Sequence, residues 1–372
     1  MSMDKQIRMP NTQWGMAPVQ SRVVRSLVIQ HSPFSVRSGI TLIELLITMT
    51  IMAIIAAAIL GTAAAAIEGA REKKTQSLIT KIHTLLMERY ASYETRRVDI
   101  KQSLINDIDA MNPTPTERGQ MMADLRLLAL RELMKYEMPD RWSDVTEPPV
   151  FLNDRPTLAK QYLRRSADAT GQYGPAECLY MTVMLATGDG EARTLFTKQD
   201  IDDTDPDGPD GAPEFVDGWG NPIQFLRCAP GYVVRSELMT GDADTDHDPF
   251  DPYRRDQLNA MPNNLARYPS AIRPYVAKLK DDVPAFRLVP LVFSAGPIGI
   301  EGGKIDIYLS PKKEFSSFAT DQPAMDPYFV ASDLSANATK LNMTNAYGFG
   351  MPDLTDDVDD SKGYITNHLL EY

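Results

Sequence analysis

Apolar positions crowd into one stretch of the chain. From Leu45 to Ile67, 23 residues carry no charge, and as a helix rising ~1.5 Å per residue they reach about 34 Å, enough to cross a bilayer core. Beyond that stretch the pattern turns periodic. Leu78, Ile82, Leu85, Leu86 and Tyr93 recur at helical spacing, while Arg71, Glu72, Lys73, Lys74, Lys81, Glu88 and Arg89 fill much of the other surface. Together the two patterns predict one long helix over residues 40–97, its first half in a membrane and its second half packed on a soluble body.

Residues 98–190 read as mostly helical. Thr116 precedes a run to Met138 with Leu125, Leu128, Leu133 and Met134 on one face and charges on the other, and Pro139 stops it. Cys178 to Ala186 is a further apolar segment, bounded by Pro175 and Gly188. From about residue 215 the pattern becomes short β-like runs separated by Gly, Pro and Asp, among them Tyr232–Arg235, Leu291–Ser294 and Lys304–Leu309. The expected fold class is α+β: a long N-terminal transmembrane spine helix packed on a soluble domain with a small antiparallel sheet and a helical insertion. The expected divisions are a basic leader over 1–39, the spine over 40–97, the insertion over 98–190 and a β-rich region with acidic loops over 191–372.

Charge gives this layout a direction. Lys5, Arg8, Arg22, Arg25 and Arg37 against Asp4 make residues 1–39 net +4, which leaves −16 for the other 333 residues of a chain whose total is −12. A basic start before an apolar run and an acidic body after it fits a start held in the cytoplasm and an exported body. The acidic balance also argues against nucleic acid as a partner, because phosphate binding needs a basic face. Cys178 and Cys228 are the two cysteines, too few for a disulfide scaffold or a paired-cysteine zinc site; one bridge and two buried thiols are both open readings. The chain has no Gly-x-Ser-x-Gly elbow, no Gly-Lys-Ser/Thr phosphate loop and no His-Glu-x-x-His helix. An enzyme is therefore not expected.

What the apolar run does is decided at its start. A cleaved secretory signal has a shorter apolar run with the cut after it, and a plain anchor gives no reason for an acid at the beginning. Here Glu44 opens the run. A carboxylate at a membrane helix end calls for a partner, or else it caps the helix start, where the dipole favours negative charge. The stretch Arg37-Ser38-Gly39-Ile40-Thr41-Leu42-Ile43-Glu44-Leu45-Leu46 resembles the type IV prepilin signal, in which a basic residue and a glycine precede the cut and glutamate is the fifth residue after it. The resemblance implies cleavage by prepilin peptidase between Gly39 and Ile40, on the cytoplasmic side, and methylation of the new amino terminus. It also implies that Glu44 pairs with the free amine of a neighbouring subunit, neutralising both charges and setting the axial register of assembly. Three features depart from the family. The leader is long at 39 residues, Ile40 stands where phenylalanine or methionine is commoner, and the apolar run has Gly61 where many members have a proline.

Two later segments sharpen the resemblance. Asp217-Gly-Trp-Gly-Asn-Pro-Ile-Gln-Phe-Leu226 looks like the Asp-x-Trp-Gly-Asn-Pro turn and strand of the major pseudopilin of type II secretion, and Leu291-Val-Phe-Ser-Ala-Gly-Pro297 resembles that family's later strand and turn. Together they imply a pilin-like fold and a structural subunit of a type II secretion pseudopilus. Its partners would be prepilin peptidase, other pilin or pseudopilin subunits, an inner-membrane assembly platform and membrane lipid, with the body in the periplasm. A type IV pilus subunit for adhesion, motility or DNA uptake shares the cut site and helix. A membrane-anchored periplasmic binding protein or enzyme would have no need of Gly39 or Glu44.

The acidic loops suggest a cation. Asp203-Thr-Asp205-Pro-Asp207-Gly208-Pro-Asp-Gly-Ala-Pro-Glu214 fits the spacing Asp-x-Asp-x-Asp-Gly-x5-Glu. The expected ligands for Ca²⁺ are Asp203, Asp205, Asp207 and Glu214, with Gly208 allowing the sharp turn. A solvated acidic turn is the alternative. Two further clusters, Asp242, Asp244, Asp246 and Asp248 around His247, and Asp356, Asp357, Asp359 and Asp360, lack a closing glutamate and a turn glycine in place.

Overall fold

A computed structural model describes residues 40–165, 173–186, 190, 194–203, 208–229, 247–256, 265–279, 287–298 and 365–368. Helix α1 runs Leu42–Ser92 and ends in a 3-10 turn, Tyr93–Thr95. Then come α2 (Gln102–Ala110), α3 (Pro115–Glu137), α4 (Trp142–Thr146), α5 (Thr157–Arg165) and α6 (Gly174–Ala186). Short strands β1 (Ile201–Asp202) and β2 (Glu214–Phe215) pair antiparallel, and β3 (Gln224–Ala229), β4 (Val289–Ser294) and β5 (Ile365–Thr366) form a second antiparallel sheet in that order. Helix α7 spans Arg273–Leu279. The architecture is α+β with a spine helix. The predicted strand at Tyr232–Arg235, the one at Lys304–Leu309 and the cluster at Asp356–Asp360 lie outside the described residues.

Packing divides the chain into two compact units, residues 1–60 and 61–372. In the first, every described residue is exposed, including Leu42, Ile43, Leu46, Met52 and Leu60. The second has one main core. It gathers Leu78, Ile79, Ile82, Leu85, Leu86, Tyr90 and Tyr93 from α1, the apolar face of α3, and Phe225 and Val292 from the sheet. The spine residues picked out by periodicity are all buried, with Ile79 and Tyr90 buried beside them. Described residues of segments 98–190 and 191–372 both contribute to this core.

Helix α3 is built differently from its sequence pattern. Its cap is Thr114, whose hydroxyl accepts the Glu117 N–H at 3.3 Å while Glu117 reaches back to the Thr114 N–H at 2.9 Å, with Pro115 as first helical residue. The face expected to meet water is buried: Asp124, Arg131, Glu132, Lys135 and Glu137 are all at or below 6% exposed. Each charge is compensated, as burial requires. Asp124 takes two bonds from Arg255, at 2.8 and 3.0 Å, and Lys135 reaches Glu147 at 2.6 Å. Glu132 accepts the N–H groups of Val150, Phe151 and Leu152. Burial raises the Glu132 pKa, and those three bonds oppose the rise. Glu137 ties the helix to the end of the spine through Arg89 (3.2 Å), Arg96 (2.9 Å) and the Tyr93 hydroxyl (3.0 Å). Cys178 and Cys228 are both buried and carry no disulfide, so the open choice between one bridge and two thiols resolves to thiols.

Candidate functional site

The amino end of α1 is organised by its own side chains. Thr41 donates its N–H to Glu44 Oε2 at 2.9 Å and its hydroxyl to the same oxygen at 3.0 Å, and the Glu44 N–H returns to Thr41 Oγ1 at 3.3 Å. This is a reciprocal capping box, which satisfies amide donors that a helix start leaves without partners. In the isolated chain Glu44 therefore serves as a cap. Ile40 is 75% exposed, and Gly39 lies outside the described residues. From Ile40 to Lys73 every residue is exposed, so the apolar run offers large side chains on all sides with no polar face. Such a surface is suited to lipid or to other apolar helices. The helix containing it is long and apolar enough to cross a membrane.

Further along the spine, the turn at 217–222 is a docking piece. Asp217 Oδ1 accepts the N–H groups of Trp219 (2.8 Å) and Asn221 (2.9 Å), while its Oδ2 accepts the Ser294 hydroxyl at 2.6 Å. The Asn221 amide donates to Gly296 O at 3.1 Å. The two segments that resemble the major pseudopilin thus meet on one carboxylate. The same turn grips α1: Gly218 N–H donates to Thr75 Oγ1 at 2.9 Å, and the Trp219 indole N–H donates to Glu68 Oε1 at 2.8 Å. A Cβ at Gly218 would lie 2.5 Å from Arg71 O and 2.7 Å from Arg71 Cα, so only glycine permits this approach. The bond from Trp219 to Glu68 was not legible in the sequence, since the two lie 151 residues apart.

The acidic loop is closed at its base by the β1–β2 pairing, which sets Asp202 opposite Glu214. Gly208 has φ +107°, the left-handed turn expected of it. Asp203 accepts the N–H groups of Asp210 (3.2 Å) and Gly211 (2.9 Å), and Glu214 is fully buried on β2. Asp205 and Asp207 lie outside the described residues.

A second group was not anticipated. His247, Asp251 and Asp256 place one donor atom each within 4.8 Å of one another. The aspartates are 2% and 0% exposed. Burial raises the Asp251 pKa, and the Asp256 charge adds to the rise. Burial lowers that of His247, but Asp256, Asp251 and Asp248 outweigh it and leave it raised. The histidine in the Asp242–Asp248 run was the available signal, but its partners lie downstream in His247-Asp-Pro-Phe-Asp251 and at Asp256 rather than among the alternating acids before it.

The class of protein this defines is an α+β body carried on the later turns of a helix long and apolar enough to cross a membrane. More narrowly, residues 35–60 match the family model of the prokaryotic N-terminal methylation motif, the prepilin-type signal of type IV pilins and pseudopilins. That motif marks a structural pilin-like subunit, and it implies processing by prepilin peptidase and assembly with other pilin subunits. No curated protein and no solved structure matches the chain.

Proposed function

We propose that the chain is a structural subunit of a type II secretion pseudopilus, cut between Gly39 and Ile40 and assembled through its N-terminal helix with its body in the periplasm. The observation that carries the choice is the 217–222 turn: Asp217, Trp219, Asn221 and Ser294 form one hydrogen-bonded unit seated on the spine. In the filament, the Glu44 carboxylate turns from Thr41 to the methylated amine of Ile40 in a neighbouring subunit. A pair of opposite charges inside an apolar bundle fixes axial register because any other register leaves both charges buried and unpaired. In cells carrying Glu44→Ala we expect the protein inserted and cleaved but poorly incorporated into filaments, with secretion of exported proteins lost. Normal incorporation rules out the pairing. Retained secretion with lost surface pili assigns the protein to a type IV pilus instead.

The acidic loop completes the reading. Asp203, Asp205, Asp207 and Glu214 bind Ca²⁺ and steady the body outside the membrane. Gly208 already has the backbone such a loop needs, and Asp203 already faces loop amides. Added Ca²⁺ is expected to raise the melting temperature, and Asp205→Ala with Glu214→Ala to abolish the rise. A flat wild-type response excludes the site.

A further inference from the structure

We propose that the Trp219 indole lies among phospholipid headgroups, so that the 217–222 turn rests the body on the membrane surface. The contact requires a membrane-inserted spine and is indifferent to which filament the chain joins. The spine sets the depth. As a helix the uncharged run from Leu45 to Ile67 reaches about 34 Å, slightly more than the ~30 Å hydrocarbon core of a bilayer. Glu68 is the first charge after the run, so it stands where the core gives way to headgroups. The Trp219 indole N–H donates to Glu68 Oε1 at 2.8 Å, which holds the ring at that depth. The turn cannot slide along the helix, because Gly218 N–H is bonded to Thr75 Oγ1 at 2.9 Å and Gly218 lies against the Arg71 backbone.

The side chains suit that layer. Tryptophan favours the membrane interface because its ring is apolar and its N–H is polar. Trp219 is half-buried and the adjoining Gly220 is exposed, so part of the ring faces outward while its N–H is satisfied. Glu68 is matched to the same place. Its Oε1 takes the indole and its Oε2 faces the Arg71 guanidinium at 3.8 Å, so the first carboxylate past the core enters a poorly hydrated layer with both oxygens engaged. Arg71 and Lys73 are exposed and follow Ile67 by roughly 6 and 9 Å along the helix, where each headgroup layer is about 5–8 Å thick. Arg71, Lys73 and Lys74 against Glu68 and Glu72 leave this stretch net positive in an acidic body, the sign that lipid phosphates attract. The consequence is mechanical. No spacer separates the body from the bilayer, so a step that lifts the spine out of the membrane also withdraws the ring from lipid.

Tryptophan emission from the full chain, reconstituted in phosphatidylcholine bilayers, tests the contact. Trp14, Trp142 and Trp219 are the three tryptophans, and the difference between wild type and Trp219→Phe isolates the emission of the last. Lipids brominated just below the headgroup are expected to remove most of that difference, and lipids brominated near the chain ends to leave most of it. Trp219→Tyr keeps a ring with a polar tip and serves as the blank if Trp219→Phe folds poorly. A Trp219 emission that neither lipid changes overturns the contact. So does one that the deep bromines quench as much as the shallow ones or more, since the ring would then sit in the hydrocarbon core.

Discussion

Gly218 and Arg71 touch backbone to backbone, and this contact sets how the body sits on the later spine. A methyl group at Gly218 would meet Arg71 O, Cα and C at 2.5–2.8 Å, and a helix backbone cannot move aside as a side-chain tip can. Gly218→Ala is expected to cost about 1–3 kcal/mol, the range for overpacking a closed contact, read as a lower urea midpoint or melting temperature. Unchanged stability contradicts the close approach. Asn367 and His368 form a second seam. The Asn367 side chain accepts the Val292 N–H at 2.7 Å and donates to Pro290 O at 2.9 Å and to His83 Nδ1 at 2.8 Å, joining β4 to the spine. His368 Nε2 donates to Pro290 O at 3.0 Å. Burial pushes the His368 pKa down to about 4 and lowers that of His83. A depressed histidine is neutral in the fold and binds its proton more readily unfolded. Its contribution is therefore complete above the unfolded value of 6.5 and is lost as pH falls toward about 4. The loss reaches roughly 3 kcal/mol at ~1.4 kcal/mol per unit. Unfolding curves from pH 7 to 4 should fall more steeply for the wild type than for His368→Gln, and parallel curves would refute the assignment.

At the scale of elements, legibility followed the kind of signal. The spine was readable because its two halves announce themselves differently, first by an unbroken apolar run and then by spaced apolar positions. The latter are the residues that pack: Leu78, Ile82, Leu85, Leu86 and Tyr93. Helix α3 was readable as a helix but not as a buried one. A charge paired in the core and a charge in water look alike in sequence, and the partners that decide the matter are remote. Arg255 lies 131 residues from Asp124, and Asp248 lies 117 from Arg131. The same remoteness hid the seat of the 217–222 turn, where Thr75 and Glu68 are 143 and 151 residues from the groups they bind. The His247 group was missed for a local reason. The alternation of Asp242, Asp244, Asp246 and Asp248 drew attention to the acids before the histidine, whereas the turn through Asp251 folds the acids after it onto the ring.

At the scale of the molecule, one chain combines two surfaces of opposite character. Residues 45–67 expose apolar side chains in every direction, and the body carries most of an acidic excess. In water the first would aggregate; in the proposed assembly, lipid and then a bundle of like helices cover it. Glu44 is the one charge on that helix before Glu68, so in the proposed assembly the transfer from membrane to bundle turns on where its carboxylate finds a partner. In the proposed assembly, cleavage creates an amine at Ile40, and that of a neighbouring subunit becomes the partner of Glu44. The central claim is therefore that the mature chain begins at Ile40. Intact mass with amino-terminal peptide mapping, on protein purified from its own membranes, tests it most directly. The account predicts a chain that starts at Ile40 and carries one added methyl group. An uncut chain that keeps residues 1–39, in cells whose prepilin peptidase is active, would contradict it and make the apolar run an ordinary anchor.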